Sequence, residues 1–166
     1  MNFQVIPKKE AIPSFDRNVV AVKHIEYYPF GDIYEQNEIH QEVILKILKE
    51  IPEGFAGYFF LDPDGEMDWM EVVSDGEWIY LGCCFDTEDA GDFSCAYSYN
   101  PEFADTAELL EKADFSDKTL YTSMDSGGQS PIPKIQAITD LEAGIQAVEY
   151  FIYTGQLYPG IDWITE

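Results

Sequence analysis

Closely spaced carboxylates in FLDPDGEMDWME, residues 60–71, have nearly the spacing of a calcium-binding EF-hand loop. Such a loop needs an oxygen ligand at its first position and a glycine at its sixth. When Gly65 takes the sixth position, the first falls on Phe60, whose side chain has no oxygen. The flanking aromatic and β-branched residues are typical of strands, whereas helices enclose an EF-hand loop. We therefore expect no metal site, and we interpret the stretch as a β-hairpin with an Asp-Pro-Asp-Gly turn.

Carboxylates beside aromatic residues could also perform acid–base chemistry on a glycoside. With 32 Asp and Glu in the chain, however, such pairs arise from composition alone. The sequence has no nucleophile elbow, phosphate-binding loop or metalloprotease helix. A Cys–His pair would need His24 or His40 beside a cysteine of a strand-like segment, and buried thiols with surface histidines explain these residues better. We predict that the protein is not an enzyme, has no catalytic residues and needs no cofactor.

Three cysteines, Cys83, Cys84 and Cys95, lie in apolar segments with strand composition. Adjacent residues of a strand point to opposite faces, so Cys83 and Cys84 are not expected to bond to each other. No C-x-x-C pair is present, which argues against a zinc site. We expect three buried thiols in a reducing cytoplasm. No secretion signal is visible at the N-terminus, and no segment has transmembrane length.

The charge of the chain is strongly acidic, with 32 Asp and Glu against nine Lys and Arg and a formal net charge of -23. Between residues 50 and 111 there is no Lys, Arg or His, although 17 Asp and Glu lie there. A surface that serves only solubility usually interleaves both signs of charge. Phosphate would be repelled, which argues against direct binding of nucleic acid or of an anionic membrane. A basic protein partner is favoured; simple solubility or a salt-adapted source is the alternative.

The predicted elements are mostly strands. Apolar periodicity predicts strands over residues 19–28, 57–61, 67–74, 77–85, 93–99, 118–124 and 132–138, and helices over 37–51 and 104–113. Asp105 is the predicted cap of the second helix. A closing helix begins at a capping box of Thr139 and Glu142 and ends at Gly155. These elements predict one α+β domain over residues 1–166, an antiparallel β-meander sheet packed with helices.

A meander would bring the acidic turns together, because its first and third turns lie at the same edge of the sheet. The carboxylates concerned are Asp62, Asp64, Glu66 and Asp68 of the first turn and Asp86, Glu88, Asp89 and Asp92 of the third, with Glu71 and the aromatic Trp69 beside them. Like charges at this spacing raise the cost of folding unless something neutralises them. We therefore predict a docking surface for a cationic partner and no reaction centre.

The C-terminal stretch EAGIQAVEYFIYTGQLYPGIDW, residues 142–163, resembles the first-numbered family of bacterial polymorphic-toxin immunity proteins. Members end in a helix that starts with Glu-Ala and has an aromatic residue near its end, followed by Thr-Gly, a proline and a terminal tryptophan. The matching residues are Glu142, Ala143, Phe151, Thr154, Gly155, Pro159 and Trp163. The segments GEWIYLGC and AYSY also look like that family's sheet. The resemblance covers roughly residues 55–163, so residues 1–54 are interpreted as an N-terminal extension with a strand and a helix.

The resemblance implies a cytoplasmic protein that binds and neutralises a cognate toxin domain, delivered by secretion or by contact between cells. Toxins paired with this family are often deaminases that act on nucleic acid. A toxin that grips phosphate needs a basic cleft, which an acidic protein can occupy. We expect the acidic turns to bind the toxin and the C-terminal motif to be structural, with Gly155 as a helix cap and Trp163 in the core.

Two other functions are compatible with the same residues. An acidic mimic of nucleic acid could inhibit a DNA- or RNA-binding protein without any cognate toxin; a toxin gene directly beside the gene for this chain would argue against it. A calcium-binding protein or a carboxylate-dependent enzyme would be revealed by calorimetry with Ca²⁺.

Overall fold

The computed structural model describes residues 3–29, 31–87 and 92–165. Its strands are β1 (Gln4–Ile6), β2 (His24–Tyr27), β3 (Ile33–Glu35), β4 (Phe55–Phe60), β5 (Trp69–Ser74), β6 (Ile79–Thr87), β7 (Asp92–Ser98), β8 (Tyr121–Ser126), β9 (Ser130–Pro133), β10 (Ala137–Ile138) and β11 (Trp163–Thr165). Its α-helices are α1 (Gln41–Glu50) and α2 (Leu141–Thr154), and 3₁₀ segments cover Gln36–Glu38, Ile51–Glu53, Pro101–Leu109 and Lys134–Gln136.

The main sheet of the described residues is antiparallel and has the order β1-β11-β7-β6-β5-β4-β2-β3, with β10 paired to β6 as its ninth strand. The four central strands, β4 to β7, are consecutive in the chain and pair as a meander. Strands β8 and β9 form a separate hairpin. The predicted α+β class and the antiparallel meander are confirmed.

The helices cover one face of the sheet. The apolar sides of both helices are fully buried there, with Ile44 and Ile47 in α1 and Val148 and Phe151 in α2. They pack in one cluster with apolar side chains of the central strands such as Leu81. Burying a large apolar side chain contributes about 1.5–3 kcal/mol, so this cluster is the main source of stability.

The opposite face of the sheet is covered in part by the β8–β9 hairpin. Met124 and Ile132 of the hairpin pack against Val73 of β5 and Tyr80 of β6. Because side chains alternate between the faces of a strand, Trp69 lies on the same face as Val73. We call this side of the sheet the hairpin face. It also carries Trp69, which begins β5 directly after the acidic loop.

The described part of residues 1–54 belongs to this same sheet and core. Strand β1 pairs with β11, and β2 and β3 extend the sheet beyond β4. Helix α1 packs in the main core. The described part of the segment is thus integrated into the fold.

The predicted strand over 19–28 is shorter in the structure, where β2 begins at His24. The backbone N–H groups of Ala21 and Val22 both donate to the carbonyl oxygen of Ile152, at 2.9 and 3.1 Å. Carbonyl groups in the last turn of a helix have no partner within the helix. Ala21 and Val22 satisfy one of them, and the chain joins the sheet only from Lys23, whose N–H donates to the Phe60 carbonyl at 2.8 Å.

The predicted helix over 104–113 is wrong in type and position, since a 3₁₀ segment covers Pro101–Leu109. Its cap is Asn100, whose side chain accepts a hydrogen bond from the Glu102 N–H at 3.1 Å. Proline is favoured in the first position of a helix, so the cap lies before Pro101 and Asp105 lies within the segment. The predicted strand over 132–138 is also interrupted, by the 3₁₀ segment between β9 and β10.

The closing helix α2 is confirmed, but its N-terminal cap lies one residue later than predicted. Asp140 is the cap and accepts from the Ala143 N–H at 3.1 Å, so the predicted capping box with Thr139 is wrong. At the other end Gly155 has a φ of 71°, and its N–H donates to the Phe151 carbonyl at 2.8 Å. This left-handed conformation favours glycine, as predicted.

Candidate partner-binding site

The loop between β4 and β5 has the predicted Asp-Pro-Asp-Gly turn. The Gly65 N–H donates to the Asp62 carbonyl at 3.1 Å, and Gly65 has a φ of 69°. The Asp62 carboxylate accepts from the N–H groups of Asp64 at 3.0 Å and Glu66 at 3.3 Å. The first aspartate therefore orders the loop, while Asp64 and Glu66 are exposed to solvent.

The third turn of the meander reaches the same end of the sheet. The Asp86 N–H, near the end of β6, donates to Oδ1 of Asp68 at 2.7 Å. Five described carboxylates are thus collected at this end, and we call them the acidic rim: Asp62, Asp64, Glu66, Asp68 and Asp86. The predicted convergence of the two turns holds for these residues. Glu88 and Asp89 lie outside the described residues, and the backbone of Asp92 begins β7 at the same end, opposite Thr87.

The charge of the acidic rim is not balanced by ion pairs among the described residues. Those pairs involve Glu26, Glu35, Glu50 and Glu149, and no rim carboxylate. Asp64, Glu66 and Asp86 are exposed, so water and salt screen their repulsion in the isolated protein. A cationic surface brought against the rim would replace that screening with direct attraction.

Aromatic rings lie directly behind the rim on the hairpin face. Phe60 of β4 and Trp69 of β5 are register partners with ring centroids 6.3 Å apart. Phe60 is buried, whereas Trp69 is partly exposed. A partly exposed tryptophan beside carboxylates provides a face on which a lysine or arginine side chain can lie.

His24 lies in this region and is buried, so the expectation of a surface histidine is wrong for it. Its ring lies 5.6 Å from that of Phe60, and its Nε2 lies 2.7 Å from Oε1 of Glu26. Its Nδ1, 3.4 Å from Oε2 of Glu35, has no hydrogen-bond partner among the described residues. The ring also packs under Gly65, where a Cβ atom would come within 2.7 Å of Cδ2. His24 thus supports the acidic loop from below, through a contact that only a glycine permits.

Glu71 is not part of the exposed rim, contrary to its predicted place. It is only 5% exposed and accepts hydrogen bonds from the hydroxyls of Tyr28 at 2.6 Å and Ser126 at 2.5 Å, and from the Gly127 N–H at 2.7 Å. The β8–β9 hairpin covers it. A buried carboxylate with three donors is a structural centre that fastens this hairpin to the sheet.

Three tyrosines around Glu71 have raised pKa values. Burial and the Glu71 carboxylate raise the pKa of Tyr58 to about 12. The same causes raise the pKa of Tyr28 and of Tyr80 well above the usual value for a phenol. The three hydroxyls therefore stay protonated near neutral pH, and that of Tyr28 remains a hydrogen-bond donor to the carboxylate.

The position of Glu71 also distinguishes this loop from a calcium-binding loop. Its carboxylate, which would be the last ligand of an EF-hand loop, is directed to Tyr28, Ser126 and Gly127. Asp62 is occupied with backbone N–H groups. The described residues contain no group of three or more His, Cys, Asp or Glu that could hold a metal ion.

We predict that calorimetry with Ca²⁺ or Mg²⁺ will show weak binding without a defined stoichiometry. The carboxylates of the loop can attract cations only as a diffuse cluster, because the first and last ligands of the loop are missing. The Asp64→Ala variant should give the same weak heats as the parent. A one-to-one transition at micromolar Ca²⁺ that Asp64→Ala abolishes would contradict the hairpin interpretation.

The prediction of three buried thiols is wrong for two of the cysteines. Cys84 and Cys95 are register partners on β6 and β7 and form a disulfide, with a Cα–Cα distance of 4.2 Å. Both are partly exposed on the hairpin face. Cys83 is a fully buried thiol on the helix face, and burial raises its pKa. Pairing across strands depends on register, which the spacing of the cysteines alone did not reveal.

The C-terminal motif lies mainly in the interior. Phe151 is fully buried, and Trp163 is 1% exposed with its Nε1–H donating to the Tyr158 carbonyl at 2.8 Å. Thr154 donates its hydroxyl to the Tyr150 carbonyl at 2.6 Å. Glu142 and Ala143 lie in the first turn of α2, and the Pro159 carbonyl accepts from the Lys9 N–H at 2.8 Å. These contacts fit the structural role expected for the motif.

None of the helices in the described ranges is long and apolar enough to cross a membrane. No family model, curated protein or solved structure matches the chain.

Proposed function

We propose that this chain is an immunity protein that binds and neutralises a basic toxin domain, one that acts on nucleic acid, with the acidic rim as its main contact surface. The observation that carries the proposal is the convergence of two acidic turns, whose carboxylates have no ion-pair partner among the described residues. The absence of Lys, Arg and His between residues 50 and 111 supports it. The resemblance of the C-terminal stretch to an immunity family points the same way.

The acidic rim would act on the toxin in two ways. Complementary charge accelerates the first encounter and orients the two proteins, so that incoming toxin is captured quickly. Once bound, carboxylates in the toxin's basic cleft exclude the phosphate groups of its substrate. Trp69 lies directly behind the rim and would contact a cationic side chain of the toxin, which slows dissociation. As part of this proposal, the chain acts in the cytoplasm of the cell that makes the toxin.

The proposal predicts a gene for a large toxin directly beside the gene for this chain. The test compares two triple variants in binding to the C-terminal domain of that toxin. The rim variant carries Asp64→Asn, Glu66→Gln and Asp86→Asn, whose side chains are exposed. At low salt its association rate should fall about three- to tenfold, because the steering charge is lost. The parent's rate should fall as salt rises, and that of the rim variant should change much less.

The control variant carries Glu102→Gln, Asp105→Asn and Glu108→Gln, which removes the same charge from the 3₁₀ segment after β7, at the other end of the sheet. It should bind within about twofold of the parent, because exposed charges far from an interface are largely screened. Melting curves should show both variants folded, with the rim variant at least as stable as the parent. An equal fall of the association rate in both variants would mean that the net charge of the protein matters and the position of the rim does not. Parent-like binding by the rim variant would place the interface elsewhere, and absence of binding by the parent would favour the nucleic-acid mimic.

A further inference from the structure

The Cys84–Cys95 disulfide lies directly beside the proposed binding surface. Trp69 is the register partner of Cys84, and Cys84 is the register partner of Cys95, so the three residues form one row across the hairpin face. Asp86 follows two residues after Cys84 and therefore points to the same face. The bond thus cross-links β6 and β7 next to both the tryptophan and a rim carboxylate.

The disulfide is accessible to external thiols, whereas the third cysteine of the chain cannot attack it. Cys84 and Cys95 are partly exposed, whereas Cys83 is fully buried on the other face. Burial also raises the pKa of Cys83, so its thiol stays protonated and is a poor nucleophile. Thiol–disulfide exchange with Cys83 is therefore blocked both by its position and by its protonation, and the bond opens only with an external thiol.

Opening the bond would change the geometry of the row without unfolding the sheet. The two Cα atoms are 4.2 Å apart, and two unbonded sulfur atoms need a separation of roughly 3.5–4 Å. The thiols must therefore turn away from each other, which for Cys84 means towards Trp69, its register partner on β5. Backbone pairing between β6 and β7 continues on both sides of the cysteines, so the strands stay together.

We propose that the Cys84–Cys95 bond is a redox control on partner binding at the acidic rim, an inference that rests on the proposed function. In the oxidised protein the cross-link holds Trp69 and Asp86 in the arrangement described above. In the reduced protein, the form that a reducing cytoplasm favours, the row loosens and the bound partner leaves faster, so protection is strongest when the bond is oxidised. The reductant is a dithiol: its thiolate attacks one sulfur, its second thiol resolves the mixed disulfide, and two electrons and two protons pass to Cys84 and Cys95 as the dithiol becomes a disulfide.

The test uses the full chain and an immobilised synthetic peptide of alternating arginine and glycine as a cationic probe. Alkylation and mass measurement count the free thiols before each run, and one is expected in the oxidised protein and three after treatment with dithiothreitol. Reduction should speed dissociation of the peptide about three- to tenfold, since changes within an interface act mainly on the dissociation rate. The Cys84→Ala/Cys95→Ala variant should dissociate at the reduced rate in either condition.

The matched control is Cys83→Ala, which should keep the full response to dithiothreitol. Near-ultraviolet circular dichroism should show that the reduced parent keeps its packed aromatic core. Equal dissociation from oxidised and reduced protein, with binding still weakened in the rim variant, would overturn redox control and leave the proposed function standing. Three free thiols in air-oxidised protein would also overturn it. Failure of the peptide to bind either form would count against the rim as a surface that binds cationic partners, and therefore also against redox control of that binding.

Discussion

Replacing Glu71 with alanine is expected to lower the free energy of unfolding by roughly 3 kcal/mol, because each buried donor left without an acceptor costs about 1–3 kcal/mol. Three donors lose their acceptor at once, namely the hydroxyls of Tyr28 and Ser126 and the N–H of Gly127. Chemical denaturation measures the loss. Amide exchange should show protection disappearing first in the β8–β9 hairpin, because Ser126 and Gly127 lie at its turn.

Two further variants serve as controls, one at the same position and one at an exposed glutamate elsewhere. Glu71→Gln keeps the size of the side chain and one acceptor oxygen, so it should cost less than alanine. Glu77→Ala removes an exposed glutamate near the other end of the strands and should change stability by no more than about 0.5 kcal/mol. If Glu71→Ala unfolds at the same denaturant concentration as Glu77→Ala, Glu71 does not fasten the hairpin.

The second large effect is expected for Trp163→Ala, which should cost roughly 3–5 kcal/mol. Trp163 is 1% exposed, and its indole N–H donates to the Tyr158 carbonyl. Alanine leaves a cavity in the main core and an unpaired carbonyl group. Any loss of partner binding should follow the loss of folded protein, as read from denaturation curves recorded beside binding.

Trp163→Phe is the control, because it keeps most of the apolar area and removes the indole N–H. It should cost about 1–2 kcal/mol, of which the lost hydrogen bond is one part. A Trp163→Ala protein that melts normally but no longer binds would place this tryptophan in the interface and contradict its structural role.

Much of the central sheet could be predicted from the sequence. The segments that became β4, β5, β6 and β7 alternate or are apolar on both faces, and Gly-containing turns separate them. Their order also predicted that alternate turns meet at one end of the sheet, which is where Asp68 and Asp86 come into contact. Local pattern is sufficient here because each strand pairs with its neighbour in the chain.

The predictions that were wrong concern residues whose environment depends on contacts between distant parts of the chain. Glu71 alternates with apolar residues as an exposed strand residue would, and distant residues bury it, among them Tyr28 and Ser126, the latter 55 positions along the chain. Cys84 and Cys95 bond because the register of β6 and β7 places them opposite each other, and register is not visible in spacing. His24 reaches the acidic loop through the pairing of β2 with β4, which no local signal predicts.

The central claim is tested most directly by survival of a susceptible bacterium that makes the C-terminal domain of the toxin whose gene the proposal expects beside that of this chain. Expression of this chain together with that domain should restore colony counts to those of cells that make an inactive toxin. The control variant with Glu102, Asp105 and Glu108 neutralised should protect as well as the parent. The rim variant with Asp64, Glu66 and Asp86 neutralised should protect only at higher expression. Equal killing with and without this chain, at protein levels that exceed those of the toxin domain, would contradict the proposed immunity function.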